Sequence, residues 1–175
     1  GVNRITDIVK RMRGLASGHA DDTRRMTDLS WVARDACRIA GLRVKYKADL
    51  HIHDAQMPEV MASAKRIGQV VLNLVVNAAD AVGGQLDPMP RIDVSIGQDD
   101  EWAWIDVADN GPGVPEKMRE RMFEAFVTSK SEEGGTGLGL AVSEIIAEEH
   151  GGRLELRSHE GRGAWFRLWL PLPAQ

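Results

Sequence analysis

The sequence has little cysteine, few aromatic residues and no long apolar run. Its single cysteine, Cys37, cannot form an internal disulfide, which favours a reducing, cytoplasmic setting. No apolar stretch reaches the roughly 18 residues that a membrane-spanning helix needs, and there is no signal peptide, although a longer parent protein could still be membrane-anchored. The net charge of −4 and the scattered basic residues argue against a nucleic-acid partner, because nucleic acids bind basic surfaces.

The apolar residues that are present suffice for one folded domain. The chain has 175 residues, of which 43% are hydrophobic, enough for one core with a short appendage. Gly1 directly precedes a helical pattern, which predicts that the chain is a fragment of a longer protein. Residues 2–17 predict a helix with a narrow apolar seam formed by Ile5, Ile8, Met12 and Leu15. The seam fits either a partner helix or docking on its own domain, and the pattern leaves both open.

Periodicity and turn residues predict the other elements. A linker is expected at 18–27, and Gly41 is expected to end the first domain helix, whose apolar face is Leu29, Val32, Ala36 and Ile39. Helices are predicted at 29–40, 64–82, 115–122 and 138–150, and strands at 44–50 with Ile52, 91–96, 101–108, 153–158 and 164–170.

Helices mixed with hairpins in this order indicate an α+β fold. We expect a two-layer α/β sandwich with a mixed, mostly antiparallel sheet and helices on one face, plus the N-terminal helix. The predicted division separates residues 1–27, a helix tail and linker, from a domain of residues 28–175.

The first chemical feature lies on the predicted helix 64–82. Gln69, Asn73, Asn77 and Asp80 follow one another at spacings of four, four and three, and therefore fall within an arc of about 80° beside an apolar stripe. Carboxamide oxygens can complete a Mg²⁺ shell that is mostly phosphate and water. The alternative is a solvated polar face, but asparagine is a poor helix former and two of them would weaken the helix.

The second feature is the sequence Asp-Asn-Gly-Pro-Gly at residues 109–113. Asp109 ends a predicted strand on the side of its apolar residues, where a carboxylate needs a hydrogen-bond donor such as a purine amino group. Gly111 and Gly113 allow the backbone to approach a flat ring closely. The alternative is an ordinary turn between a strand and a helix.

The third feature is a glycine-rich stretch, 134–140, immediately before a predicted helix. Backbone N–H groups and the positive end of the helix dipole together form an anion site. The spacing is neither that of a Walker loop nor a convincing dinucleotide fingerprint. A hinge without a ligand is the alternative, but the three features together predict one nucleotide site.

In order and spacing, these motifs resemble those of sensor histidine kinases. Residues 69–81 resemble the N box, 109–114 the first glycine box, 122–130 the F box and 135–140 the second glycine box. The resemblance covers residues 28–172, and the Ala-Asp-Ala ending of the N box together with the short Thr-Ser-Lys lid resembles the nitrogen-regulation type. It implies the Bergerat α/β sandwich.

The resemblance also implies ATP and Mg²⁺ as cofactors and a role for each motif residue. Asn77 would hold Mg²⁺, with Asn73 supporting it or binding phosphate; Asp109 would accept from the adenine amino group; Lys130 would reach the γ-phosphate or stay solvated. Asn73, Asn77 and Lys130 would be the catalytic residues. The residues implied to contact the nucleotide are Asn73, Asn77, Asp80, Asp109, Gly111, Gly113, Val114, Phe126, Thr128, Lys130, Gly135, Thr136, Gly137, Leu138, Gly139 and Leu140.

The resemblance is incomplete because no phospho-acceptor histidine is found. The acceptor of the family is a histidine followed by an acidic residue on a long helix, whereas His53-Asp54 and His159-Glu160 lie in extended or turn contexts. His150 is interpreted as a helix C-terminal residue whose positive charge suits the dipole. We therefore expect transfer to a phospho-acceptor helix of the same or a partner kinase subunit, a homodimeric parent and a response regulator downstream.

Three other functions remain open. They are a hydrolytic ATPase, a serine protein kinase of the same fold, and a nucleotide-binding regulatory module without transfer. Asn73 argues against the first, because hydrolytic relatives resembling gyrase carry there a glutamate that acts as base for water.

The strand pattern predicts one more surface. Trp102, Trp104, Trp165 and Trp169 point to the sheet face without helices, where they would form an exposed apolar patch rimmed by Arg153, Glu155 and Arg157. Such patches usually mark interfaces, and we hypothesise contact with a partner or with the N-terminal helix.

Overall fold

The computed structural model describes residues 23–54, 58–84, 89–125, 127, 137–157 and 163–174. The predicted helix 2–17 lies outside the described residues. The helices are α1 (Leu29–Val44), α2 (Ala64–Val82), α3 (Glu116–Arg119) and α4 (Gly139–Glu149). The strands are β1 (Arg25–Asp28), β2 (Asp49–His53), β3 (Glu59–Ala62), β4 (Arg91–Gln98), β5 (Trp102–Asp109), β6 (Arg153–Leu156) and β7 (Trp165–Pro171). None of the helices in the described ranges has the length and apolar character needed to cross a bilayer.

The main sheet has five strands in the order β2-β4-β5-β7-β6. β2 pairs with β4 in parallel, and the other neighbours pair antiparallel. Helices α1, α2 and α4 form the second layer, with α2 packed between the other two and against β4 and β5. The predicted α+β two-layer sandwich with a mainly antiparallel sheet is therefore confirmed.

Helix α2 forms the centre of the helical layer because one side of it is continuously apolar. Ser63 caps its first turn by accepting a hydrogen bond from the backbone N–H of Arg66 at 3.3 Å. The predicted stripe is fully buried and consists of Ile67, Val71, Leu74, Ala78 and Val82. It packs on the inward residues of β4 and β5, among them Val94 and Ile105. Because the apolar stripe is held against the sheet, the direction of the adjacent helix side, which carries the asparagines, is also fixed.

A second, two-stranded sheet was not expected from the sequence. β1 pairs antiparallel with β3, and Met26 stands opposite Met61. The buried Thr27 hydroxyl donates to the carbonyl of Ala62 at 2.9 Å. The predicted linker 18–27 is therefore wrong from Arg25 onward, because these residues gain strand partners more than thirty positions away.

Helix α1 is longer than predicted. It continues through Gly41 to Val44, so Gly41 does not end it, and the strand predicted from residue 44 begins only at Asp49. A Cβ at Gly41 would meet nothing within 4 Å, which is typical of a partly exposed position inside a helix. Ile39, assigned to the apolar face, is 55% exposed, because the buried side turns instead through Ala36, Cys37 and Ala40.

The β4–β5 hairpin also extends past its predicted ends. Gly97 stays in the strand opposite Trp104, and a Cβ there would lie 2.6 Å from the Trp104 ring. The turn begins at Asp99, whose carboxylate accepts from the backbone N–H groups of Glu101 and Trp102 at 2.9 and 2.7 Å. Gly97 thus makes room for an indole and is not part of the turn.

Other predicted ends move by one to a few residues. The helix predicted at 115–122 is confined to Glu116–Arg119 and continues as turns, and the helix predicted at 138–150 spans Gly139–Glu149. The last two strands span 153–156 and 165–171 instead of 153–158 and 164–170.

The tryptophan face carries arginine as well as apolar surface. The four indoles lie on the predicted side, and Trp104 meets Trp169 edge to face with ring centres 5.5 Å apart. The guanidinium of Arg167 lies 4.7 Å from the Trp104 ring centre and that of Arg153 4.7 Å from the Trp169 ring centre. Arg167 also forms a bidentate salt bridge with Asp106, in which both nitrogen–oxygen distances are 2.6 Å. Guanidinium groups lie over the rings, so the predicted exposed apolar patch is partly covered by charged groups, and its contact with a partner or with the N-terminal helix stays a prediction.

Candidate functional site

One cavity lies between the sheet and the helices, where α2, the end of β5 and the start of α4 meet. Its volume is about 290 Å³. Nine of the predicted site residues line it: Asn73, Asn77, Asp80, Asp109, Gly113, Val114, Gly137, Gly139 and Leu140. The three separate sequence features therefore share one hollow.

The strand-end acid, Asp109, is held by the backbone around it. Its Oδ1 accepts from the N–H of Gly111 at 2.9 Å and from the N–H of Ala164 at 3.2 Å. Gly111 does not line the cavity but supports this bond, since a Cβ there would lie 2.9 Å from Oδ1. Gly163 has a φ of +80°, and a Cβ there would lie 1.8 Å from the Asp109 carbonyl oxygen. Close backbone packing thus fixes the carboxylate at the cavity wall.

The amides of α2 enter the cavity from the opposite wall. Asn73 and Asn77 are half-buried, one helical turn apart, and both line the cavity. Gln69, on the same side of the helix, is exposed and does not line it. At the other end Asp80 forms a salt bridge with Lys47, which brings a cation to the cavity edge. Two neutral amides followed by a neutralised acid leave this wall without strong negative charge.

The glycine-rich segment delivers the start of α4 to the cavity. Gly137, with a φ of +62°, and Gly139 both line the cavity. Leu138 occupies the N-cap and provides no side-chain cap, and the first turn contains no acidic residue. The first N–H groups of α4 and its positive dipole end are therefore suited to an anion.

Some of the predicted site residues do not line this cavity, and others lie outside the described residues. Leu138 is described but does not line it. Phe126, Thr128, Lys130, Gly135 and Thr136 lie outside the described residues. Phe123, in the stretch that resembles the F box, is half-buried against the core.

The sequence did not indicate part of the cavity lining. Met118, Met122 and Val127 line it from the segment after β5, and Val107, Ala164 and Phe166 line it from the sheet. The sheet residues could have been found from the alternation of β5 and β7, which turns them toward the helices. Ser143 does not line the cavity and was also missed; its hydroxyl donates to the carbonyl of Gly139 and accepts from the side chain of Asn73.

The fold is an α/β sandwich with a cavity between its sheet and its helices. The family described as histidine kinase-, DNA gyrase B- and HSP90-like ATPases matches residues 62–174. The chain belongs to this ATPase family, in which the domain is the catalytic part of histidine kinases. The resemblance that the motifs carry is thereby confirmed.

Named relatives agree with this family. The chain is similar to the sensor histidine kinase ZraS of Escherichia coli O157:H7, with 39% identity over 82% of this chain and 29% of that protein. It is also similar to the nitrogen regulation protein NtrY of Azorhizobium caulinodans, with 40% identity over 68% of this chain and 16% of that protein. The chain thus spans less than a third of these relatives.

Solved structures of histidine kinases share the fold. A nucleotide-free form of the catalytic domain of the histidine kinase ThkA superposes with a TM-score of 0.73 at 29% identity, covering 85% of this chain and 95% of that one. The mycobacterial sensor histidine kinase MprB gives a TM-score of 0.73 at 26% identity, covering 86% of this chain and 100% of that one.

Proposed function

We propose that this chain binds Mg²⁺-ATP and donates the γ-phosphoryl group to a histidine outside it, as the ATP-binding part of a two-component sensor kinase. The observation that carries the proposal is that Asn77, Asp109 and the start of α4 line the same cavity. Asp109 would accept from the adenine amino group. The N–H groups of α4 would hold the phosphates.

The donor set suits a magnesium ion that arrives with its nucleotide. No group of three or more His, Cys, Asp or Glu side chains in the described part of the chain could hold a metal by itself. Asn73 and Asn77 offer neutral oxygen ligands at the cavity wall. Mg²⁺ keeps most of its shell as phosphate and water, so the Asn77 amide, supported by Asn73, would complete it. The ion would neutralise charge on the phosphates while the protein aligns them.

The carboxylates at the cavity favour transfer over hydrolysis. Among the cavity-lining residues that the structure describes, they are Asp80, paired with Lys47, and Asp109, held by two backbone N–H groups. Asn73 cannot take a proton from water. In the transfer step an imidazole nitrogen attacks the γ-phosphorus, the bond to the bridging oxygen breaks and ADP leaves, which demands alignment and charge neutralisation more than a base here.

The described histidines do not resemble acceptors. His51 and His53 lie on strand β2, and His150 is buried at the end of α4. The acceptor would therefore lie on a helix of the same or a partner subunit in a homodimeric parent. A response regulator would receive the group next. We propose residues 28–175 as the ATP-binding domain and residues 1–27 as the tail of the dimerisation helix and its linker, apart from β1.

Transfer tests the proposal. The chain is mixed with Mg²⁺, γ-labelled ATP and the separately produced acceptor domain of its parent kinase. We expect label on a histidine of the acceptor, stable in base and labile in acid, and none on the chain itself. Label on serine would favour the serine-kinase alternative, ATP turnover at the rate of a dedicated ATPase would favour hydrolysis, and binding without transfer would favour a regulatory module.

A further inference from the structure

A buried serine connects the two halves of the proposed ATP site. Ser143 lies one turn into α4 and is 1% exposed. Its hydroxyl oxygen accepts from the Asn73 side-chain nitrogen Nδ2 at 3.0 Å and donates to the Gly139 carbonyl at 2.8 Å. Helix α2, which carries the amides, is thus tied to the helix start that would hold phosphate.

The hydrogen bonds define which end of the Asn73 amide faces Ser143. A carbonyl oxygen can only accept, so the bond to Gly139 uses the one hydroxyl proton of Ser143. The serine oxygen can then only accept from Asn73, which requires the NH₂ end of the amide on this side. If the amide were rotated, its oxygen would face the serine oxygen, and both would be acceptors. The serine hydroxyl could then donate to the amide only by giving up its bond to the Gly139 carbonyl.

The amide oxygen of Asn73 consequently lies on the other side, against Gly139. A Cβ on Gly139 would lie 2.2 Å from Asn73 Oδ1, and both residues line the cavity. Held against the start of α4, this oxygen would be a ligand for a cation or for a phosphate-bound water at the cavity wall. An amide turned by 180° would present hydrogen atoms there, and these repel a cation.

We propose that Ser143 is a positioning residue for Mg²⁺-ATP, which holds the Asn73 carboxamide with its oxygen toward the metal. The inference rests on the proposed function, because it assigns no ligand beyond Mg²⁺-ATP. It predicts that Ser143 contributes to the metal-dependent part of ATP binding and leaves the metal-free part unchanged.

The experiment measures ATP affinity of the whole chain with Mg²⁺ and with EDTA. In Ser143→Ala we expect the gain in affinity that Mg²⁺ provides to fall about 2- to 10-fold, as expected for one lost neutral hydrogen bond, while affinity in EDTA stays constant. Ser143→Thr keeps the hydroxyl and should retain most of the gain. The matched control is Ser30→Ala, since Ser30 is a buried helical serine, 3% exposed, in the first turn of α1, a helix that contributes no residue to the cavity lining.

A double-substitution cycle distinguishes positioning from general damage. In an Asn73→Ala background, Ser143→Ala should have no further effect on the Mg²⁺ dependence, because the amide it orients is gone. An unchanged Mg²⁺ gain in Ser143→Ala, an equal loss in Mg²⁺ and in EDTA, or the same effect with and without Asn73 would each overturn the inference. Absence of ATP binding in the unsubstituted chain would instead remove the proposed function itself.

Discussion

At the scale of single residues, the cavity depends on glycines, which have no Cβ, as well as on polar side chains. Gly139, Gly111 and Gly163 each stand where a Cβ would strike Asn73 or Asp109. Two of these contacts involve the side-chain oxygens proposed to meet the ligand. The glycines therefore set the positions of the polar groups and do more than loosen the loops.

Replacing Gly139 by alanine should damage both the fold and ligand binding. The new Cβ would lie 2.2 Å from Asn73 Oδ1 and would displace the amide. We expect a loss of about 1–3 kcal/mol in the free energy of unfolding, as in other overpacked sites, and weaker ATP binding. Denaturant titration and calorimetry measure these quantities.

Gly41→Ala is the control for this change. Gly41 lies inside α1 with open space around its Cβ position, so alanine should raise stability by about 0.4–1 kcal/mol without altering ATP affinity. Equal changes in the free energy of unfolding and in ATP affinity for the two variants would contradict the importance of the contact at Gly139.

The sequence indicated the polar residues of the site better than the residues that support them. Asn73, Asn77 and Asp109 could be identified because helical spacing and strand alternation are local properties of the chain. Ser143 could not, because its role depends on which helix lies opposite. Lys47, which pairs with Asp80 across 33 positions, belongs to the same class.

At the scale of elements, His150 connects the end of α4 to the beginning of α2. Its Nε2 accepts from the Ser63 N–H at 3.2 Å, and its Nδ1 donates to the Ile146 carbonyl at 2.7 Å. Because an N–H group can only donate, the ring is neutral in this arrangement, with its proton on Nδ1. His150 is the C-cap of α4, as the sequence predicts, but these two hydrogen bonds and not a positive charge hold the ring there.

Removal of this ring should loosen the helical layer. His150→Ala leaves the buried Ser63 N–H without its imidazole acceptor, and we expect a loss of about 1–3 kcal/mol in the free energy of unfolding. Denaturant titration checks the value. His51→Ala, at an exposed position of β2, should change stability by less than about 0.5 kcal/mol. A His150→Ala chain as stable as the parent would contradict this role.

Elements with strong local patterns were predicted best. α2 has its predicted ends, because a capping serine, a long apolar stripe and two glycines agree. β1 and β3 were missed because each has only four residues, and their pairing connects distant parts of the chain. The predicted strand 91–96 stops before Gly97, because the sequence alone cannot show that an indole lies across from this glycine.

At the scale of the whole molecule, stability and ligand binding should be linked. The α2 helix that lines the cavity also packs on α1, where Cys37 lies in the core at 3% exposure. Burial raises the pKa of the Cys37 thiol to about 11. The thiol pKa is thus higher in the folded chain than its ordinary value of 9.0. The free energy of unfolding should therefore fall as the pH rises from 9.0 to about 11 and stay constant above that.

The reactivity of Cys37 should therefore report global unfolding. At neutral pH the folded chain should resist a thiol reagent that modifies the denatured chain rapidly. If labelling requires unfolding, Mg²⁺-ATP at a hundred times its Kd should slow it about a hundredfold. Mass spectrometry follows the reaction, with the denatured chain as reference. A labelling rate that is the same with and without saturating Mg²⁺-ATP would contradict the link between stability and ligand binding.

The most direct measurement is calorimetric binding of ATP and GTP, with and without Mg²⁺, to the unsubstituted chain, Asp109→Ala and Asn77→Ala. If one cavity holds a whole nucleotide, the unsubstituted chain prefers ATP. Asp109→Ala then loses that preference but keeps its Mg²⁺ dependence, and Asn77→Ala keeps the preference but loses Mg²⁺ dependence. Variants that bind both nucleotides like the unsubstituted chain would contradict the account.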